Sequence, residues 1–301
     1  HSDSKIHTSF NQILNTGRVS SREPNMQQMP ASNKFRNCIK APEGWVFVSS
    51  DYSSQELNVI AYGSQDPVWL EALEKGQDLH SVCAALVYGD KWTDAAEDDC
   101  AYMKSKSKCN CSEHKSLRTK VKTVNFGLAY GMGPNKLADT IESSLGEAKE
   151  LIEQYFKVFP NIGNFLTKLE KFGVKYGYAR TYPPYNRRRW FSDWFKGIGA
   201  EPSLKGIAGT IGRASKNTPI QGASADMTKL ALVIVRDFIR ETNVPVKIVM
   251  TVHDQIDTVC SKEYAEEWKV KMTDLMEQAA LKVIPNGLLK AETNISECWE
   301  K

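Results

Sequence analysis

The chain has 301 residues, 41% hydrophobic and 25% charged, with 19 glycines and 12 prolines. That profile excludes a collagen-like or compositionally disordered polymer and leaves room for about two domains. Lys plus Arg number 39 against 36 Asp plus Glu, a formal charge of +3, which is too small by itself to require a polyanionic partner. The longest apolar candidate run, 230–235, stops at Arg236, well short of the ~18 residues a membrane helix needs. No signal-peptide pattern is visible, and seven cysteines is an odd count, so reduced thiols inside a cell are expected rather than a disulfide framework.

Residues 1–44 read as turn-rich, punctuated by Thr16-Gly17, Glu23-Pro24-Asn25 and Pro42-Glu43-Gly44. A short apolar run at 45–50 predicts a buried strand that ends at Asp51. Helical patterns follow at 67–75 and 78–88, and the polar, Lys- and Cys-rich stretch 90–114 reads as an insertion or loop. A long helix is predicted over 116–130, with others at 147–158 and 162–175. Pro183-Pro184 and the Gly-rich stretch 197–212 form a second irregular region, before a strongly apolar helix at 221–241. The β-rich runs 246–252 and 256–260 flank His253-Asp254-Gln255, which predicts a hairpin. A helix at 263–283 and a short strand at 289–294 complete the chain, with no internal repeat. This order predicts an α+β fold, an antiparallel sheet carrying a helical lobe between its strands.

Charge is segregated along the chain. Residues 90–99 hold five acids against Lys91, and 101–122 hold seven Lys or Arg against Glu113. Arg187-Arg188-Arg189 lies beside Tyr182, Tyr185, Trp190 and Phe191, a mixture suited either to phosphate contact with base stacking or to a solvated face. Asp51 ends one strand and Asp254 sits at the tip of a hairpin some 200 residues later. Neighbouring strands would bring both carboxylates together to hold Mg²⁺; the alternative for Asp254 is a turn-favouring residue. In the 116–130 helix, Arg118, Lys122, Phe126 and Tyr130 are spaced four apart, each step advancing about 40° beyond a turn, so they form one slowly winding stripe. Two cations four apart oppose each other near a helix N-terminus, and a bound triphosphate would offset that cost.

The segments DYSSQE at 51–56, RTKVKTVNFGLAYG at 118–131 and VHDQ at 252–255 resemble the three polymerase motifs of A-family DNA polymerases, the bacterial DNA polymerase I type. TGRVSSREPNMQQMP at 16–30, DLH at 78–80 and PIQGASAD at 219–226 are similar to that family in the same order. The resemblance implies a right-hand polymerase fold without its thumb. Residues 1–65 and 216–301 would be palm, and 66–215 would be fingers with an insertion at 90–115. It implies template-directed DNA synthesis from dNTPs on a primer–template, with Asp51, Asp254 and the Tyr52 carbonyl holding two Mg²⁺. Lys122 would be catalytic with those acids. Arg118, Lys122 and His80 would grip the triphosphate. Gln55 and Glu56 would also meet the nucleotide, Glu56 as a steric gate against ribonucleotides, with Phe126 at the sugar and Tyr130 at the templating position. Arg18 and Gln221, with Asn25, Gln27, Arg213 and His253, would contact the duplex, the first two in its minor groove.

Three departures accompany the resemblance. Gln255 stands where the family pattern has Glu, and Asp257 is a nearby acid able to compensate, so activity is expected to persist. The stretch before the 116–130 helix is longer than the family's usual one and holds Cys100, Cys109, Cys111 and His114. These could close a tetrahedral Zn²⁺ site, against a flexible Lys-rich insertion with incidental thiols. Cys38, Cys83, Cys260 and Cys298 read as buried small hydrophobes. The stretch 190–215 is the third departure and suggests contact with template or partner. Because only seventeen residues precede Arg18, the resemblance implies a missing N-terminal region or a separate thumb- or exonuclease-bearing chain. The cytoplasm of a bacterial or phage-infected cell is the implied location. Two competing readings are a non-catalytic or weakened nucleic-acid-binding subunit of a split polymerase, marked by Gln255, and a single-subunit RNA polymerase, which Glu56 disfavours.

Overall fold

The computed structural model describes residues 3–30, 33–192 and 205–300. The polypeptide divides into two compact units, one of His1–Glu56, Arg180–Arg187 and Gln221–Lys301, the other of Leu57–Ala179 and Arg188–Ile220. In chain order the elements begin with the short paired strands β1 (Ser9–Asn11) and β2 (Ser20–Arg22), then α1 (Asn33–Arg36), β3 (Trp45–Tyr52) and α2 (Gln55–Ser64). Helices α3 (Pro67–Glu74), α4 (Leu79–Tyr88), α5 (Asp90–Asp94), α6 (Ala101–Ser105), α7 (Ser112–Ala129), α8 (Pro134–Ile141), α9 (Leu145–Val158) and α10 (Pro160–Tyr176) follow. A ribbon of β4 (Tyr178–Arg180) and β5 (Arg188–Trp190) precedes α11 (Lys205–Thr242). The chain then forms β6 (Val246–Val252), β7 (Gln255–Ser261), α12 (Ala265–Leu281) and β8 (Ala291–Ser296).

The first unit is built on an antiparallel sheet of order β6-β7-β3-β8. Alternation along β3 sends its residues to opposite faces. Val46, Val48, Ser50 and Tyr52 are all buried, and α12 covers their side: Tyr52 Oη donates to the Met276 carbonyl at 2.7 Å, and Trp268 Nε1 to Thr258 Oγ1 at 2.8 Å. The buried residues Trp268, Met272, Leu275, Met276 and Ala279 give α12 its apolar stripe. On the other face, Phe47 joins Met26, Val252, Val259 and Trp299 in an apolar cluster. Farther along that face come Ser49, opposite Asp257, and Asp51, opposite Gln255. One face therefore runs from an apolar end to an acidic end.

The helical unit draws its starts from local chemistry. Asp66 caps α3, with Pro67 at the first helical position, Asp78 caps α4, and Ser144 with Glu147 forms a capping box on α9. Trp69, Tyr155 and Phe159 are at most 1% exposed and form its aromatic core.

The structure differs from the sequence reading in several places. The stretch read as loop at 90–114 contains α5 and α6, because Trp92 and Tyr102 are buried edge to face at 5.0 Å. Their anchoring partner, His114, is distant in sequence and leaves no local periodic signal. Residues 205–212, read as irregular, belong to α11, which continues through Pro219. Helices α1, α2 and α8 and the short strands β1, β2, β4 and β5 are not written in the sequence pattern. Cys38 is exposed rather than buried, and Cys298 only half-buried, whereas Cys83 and Cys260 are buried as expected. Of the stretch 190–215, residues 193–204 lie outside the described residues.

Candidate functional site

The first unit holds a carboxylate centre. Register places Asp51 directly opposite Gln255 on one side and Glu292 on the other. Asp254 is the residue before Gln255, in a two-residue turn between β6 and β7 where His253 adopts φ +56°. The predicted hairpin is thus present, and non-local pairing of β3 with β7 brings the two predicted acids to one end of the sheet. Glu292 accepts a hydrogen bond from Ser53 Oγ at 2.6 Å. Glu56, at the start of α2, pairs with Arg18. Burial lifts the Glu56 carboxyl above its usual range, Arg18 opposes the rise, and the negative charge of Asp254 adds to it. Like charges set opposite one another across a sheet are destabilising, and a hard divalent cation on these oxygen donors would offset that repulsion. The donor chemistry therefore fits Mg²⁺.

Gln255 is 6% exposed, and its Nε2 donates to Asp257 Oδ1 at 2.6 Å. Asp257 is fully buried, and burial raises its carboxyl above the usual range despite the hydrogen bond from Gln255. Its position corrects the expectation of a compensating acid: Asp257 orients the Gln255 amide from within the core. The carboxylate set directly opposite Asp51 is Glu292, which sequence reasoning missed. Nothing local distinguishes it from the other exposed acids.

The second unit holds a cationic helix. On α7, Leu117, Val121, Val124 and Leu128 are buried, which leaves Arg118, Lys122, Phe126 and Tyr130 along a partly accessible stripe. Arg118 forks onto Asp78, with Nε and Nη2 each donating to a carboxylate oxygen at 2.7 Å. Asp78 also accepts from Ser81 N. Burial opposes ionisation of Asp78, but the bonds from Arg118 and Ser81 prevail and hold its carboxyl at about 2. Asn125 Nδ2 donates to His80 Nδ1 at 2.9 Å, which places the proton of a neutral His80 on Nε2. Burial, then the charge of Arg118, bring His80 down to about 4. It is a neutral donor at physiological pH. His80 and Phe126 lie with ring centroids 5.7 Å apart. A Cβ at Gly127 would come within 2.7 Å of Met132 Sδ, so a side chain there would have to push the Met132 thioether aside. Asp78 and Asn125 were not singled out from sequence, although an Asp before a helical run is a legible cap signal.

The remaining predicted residues divide by environment. Arg18 and Gln221 are partly accessible, and His253 and Arg213 are exposed. Gln27 donates to the Thr251 carbonyl at 3.2 Å, and Asn25 caps the turn Met26–Gln28 through its Oδ1. Gln55 is 3% exposed and donates to the Ser224 carbonyl at 3.2 Å, so its amide is anchored in α11 rather than presented to a ligand. Arg187 of the basic triplet is held by Asp226 and by the carbonyls of Thr16 and Gly222. A Cβ at Gly222 would collide with Thr181. Only Arg188 of the triplet is exposed, over the rings of Tyr178 and Trp190.

A sulfur-rich cluster also lies in the second unit. The ligand atoms of Cys100, Cys109, Cys111 and His114 all fall within 4.8 Å of one another, and all four residues are buried.

A family model described as DNA polymerase family A matches residues 1–301. The chain is 31% identical over 300 residues to the thermostable DNA polymerase I of Thermus aquaticus, covering 98% of this chain and 32% of that protein. It is 30% identical over 301 residues to DNA polymerase I of Geobacillus stearothermophilus, covering 98% and 31%. Among solved structures, the POL domain of Pol1 from M. smegmatis, in complex with DNA primer-template and dNTP, matches with a TM-score of 0.82 at 30% identity. That match covers 99% of this chain and 49% of the other. The chain spans about a third of the length of these curated relatives.

Proposed function

Because the chain belongs to DNA polymerase family A, we propose that it carries out template-directed DNA synthesis, with the first unit as palm and the second as fingers. In that reaction the primer 3′-hydroxyl forms a bond to the α-phosphorus of a dNTP, and the bond to pyrophosphate breaks. The observation that carries the reading is the register of β3 with β7, which sets Asp51 opposite Gln255 and beside Asp254. Asp51, Asp254 and the Tyr52 carbonyl would hold two Mg²⁺, which when bound promote ionisation of the 3′-hydroxyl and neutralise the triphosphate. Lys122 would meet the triphosphate as an exposed cation, and His80 would donate from Nε2 while remaining uncharged. Arg118, pre-oriented by Asp78, would add a planar fork of donors. Phe126 would border the sugar and Tyr130 the templating position. Glu56, fixed by Arg18, would restrict the space for a 2′-hydroxyl. Arg18, Gln221, Asn25, Gln27, Arg213 and His253 would meet the duplex.

Primer extension by the full chain, with Mg²⁺ and either dNTPs or rNTPs, tests this. Extension with dNTPs is expected, and Asp51→Asn or Asp254→Asn should lower kcat by about a thousandfold or more while leaving primer–template binding in place. Unchanged extension by Asp51→Asn would remove the metal assignment. Gln255 favours one second reading, a non-catalytic DNA-binding subunit. DNA binding with no extension in Mg²⁺ or Mn²⁺ would select it.

A further inference from the structure

We propose that Cys100, Cys109, Cys111 and His114 form a structural tetrahedral Zn²⁺ site that fixes the N-terminus of α7. The four residues come from separate places: Cys100 precedes α6, Cys109 lies in the following loop, Cys111 is the N-cap of α7, and His114 lies in its first turn. Incidental thiols in a Lys-rich loop have no reason to converge on one histidine. Here all four are at most 7% exposed, with no cysteine in a disulfide.

The spacings suit zinc. Zn–S of about 2.3 Å and Zn–N of about 2.05 Å at tetrahedral angles put sulfur and nitrogen about 3.5 Å apart. The Sγ atoms of Cys100 and Cys109 lie 3.5 and 3.2 Å from His114 Nδ1. The tautomer is determined too. His114 Nε2 lies 2.6 Å from the Trp92 carbonyl, which only accepts, so Nε2 carries the proton and Nδ1 offers its lone pair inward. Trp92 stacks on the imidazole with centroids 3.9 Å apart, locking the ring. Glu97 accepts from the Ser112 amide and hydroxyl at 2.7 and 2.9 Å, steadying the same turn. Sulfur and imidazole donors select zinc over the hard Mg²⁺ of the carboxylate centre. Three thiolates around Zn²⁺ leave a net charge of −1, which exposed Lys106, Lys108 and Lys115 are placed along the chain to balance.

Arg118 lies four residues after His114, one turn along α7, so the site would set the first turn of the helix assigned to the triphosphate. That consequence rests on the proposed function; the metal itself does not. The test is elemental analysis of the purified full chain, with Co²⁺ exchange. One zinc per chain is expected, and the cobalt form should give tetrahedral ligand-field and thiolate charge-transfer bands. Cys109→Ser and His114→Ala should lose the metal and raise KM for dNTP by about tenfold, with a smaller change in kcat. His114→Cys should keep the metal and shift the cobalt spectrum. Should either metal-losing variant fail to fold, the wild-type cobalt spectrum still decides. Stoichiometric zinc in a chain without polymerase activity would uphold the site while removing the functional reading. A folded wild-type chain without zinc, or a disulfide between two of the cysteines in mass spectra, would overturn the proposal.

Discussion

At Gln255 a neutral side chain separates two acids with opposite environments. Asp51, its cross-strand neighbour, lies at the acidic end of the sheet, whereas Asp257, two residues along the same strand, is fully buried. Restoring the family's usual acid there would put a second carboxylate against Asp257, where the Gln255 amide now donates at 2.6 Å. Gln255→Glu is therefore expected to cost about 1–3 kcal/mol in urea unfolding at pH 8, with Asp257→Asn recovering much of the loss. The pH dependence has a definite sign. Burial raises the folded-state pKa of Asp257, so its penalty on the folded state is absent below the unfolded pKa, builds as pH rises above it, and is complete above the folded pKa. Asp257→Asn alone should raise the unfolding midpoint at pH 8, and the gain should shrink as pH falls. An equal gain at both ends of that pH series would contradict the assignment.

Helices α4 and α7 are coupled through one carboxylate. Asp78 caps α4 and receives both Arg118 donors from α7, so a single side chain sets a helix start and the direction of a cation. Its carboxyl lies at about 2, below the ordinary aspartate value of 3.8. The stabilisation is therefore present above the unfolded pKa and lost as pH falls through about 2. With partial solvent screening the contribution is about 1 kcal/mol. Asp78→Asn keeps the cap but loses the charge pair. It should lower stability at pH 7 and flatten the fall in unfolding midpoint between about pH 5 and pH 2. Its effect on nucleotide use should appear in KM for dNTP, because Arg118 loses its orientation without losing its charge.

For the whole molecule, a net charge of +3 says little about DNA, because binding depends on where cations cluster. If Arg213 and its neighbours meet phosphates, primer–template affinity should fall at least about tenfold between 50 and 200 mM salt. Fluorescence anisotropy measures this, and a flat salt response would argue against the proposed interface. The apolar strand ending at Asp51, the hairpin carrying Asp254 and the four-residue stripe from Arg118 to Tyr130 were all legible in the sequence. Each is written in local periodicity or turn chemistry. Other features depend on residues far apart in the chain: Glu292 opposite Asp51, Arg18 on Glu56, Asp78 beneath Arg118, and Asp226 holding Arg187. Pairing of this kind has no sequence period, because it is set by which strand or helix lies alongside. The Cys and His spacing made a metal site conceivable, but the convergence of Cys100 and Cys109 on His114 depended on burial of Trp92 and Tyr102. The sequence by itself determined which groups this chain can offer and on which elements. The tertiary structure decided which of them meet, since only packing of distant segments can offset the cost of bringing charged and polar groups together out of water.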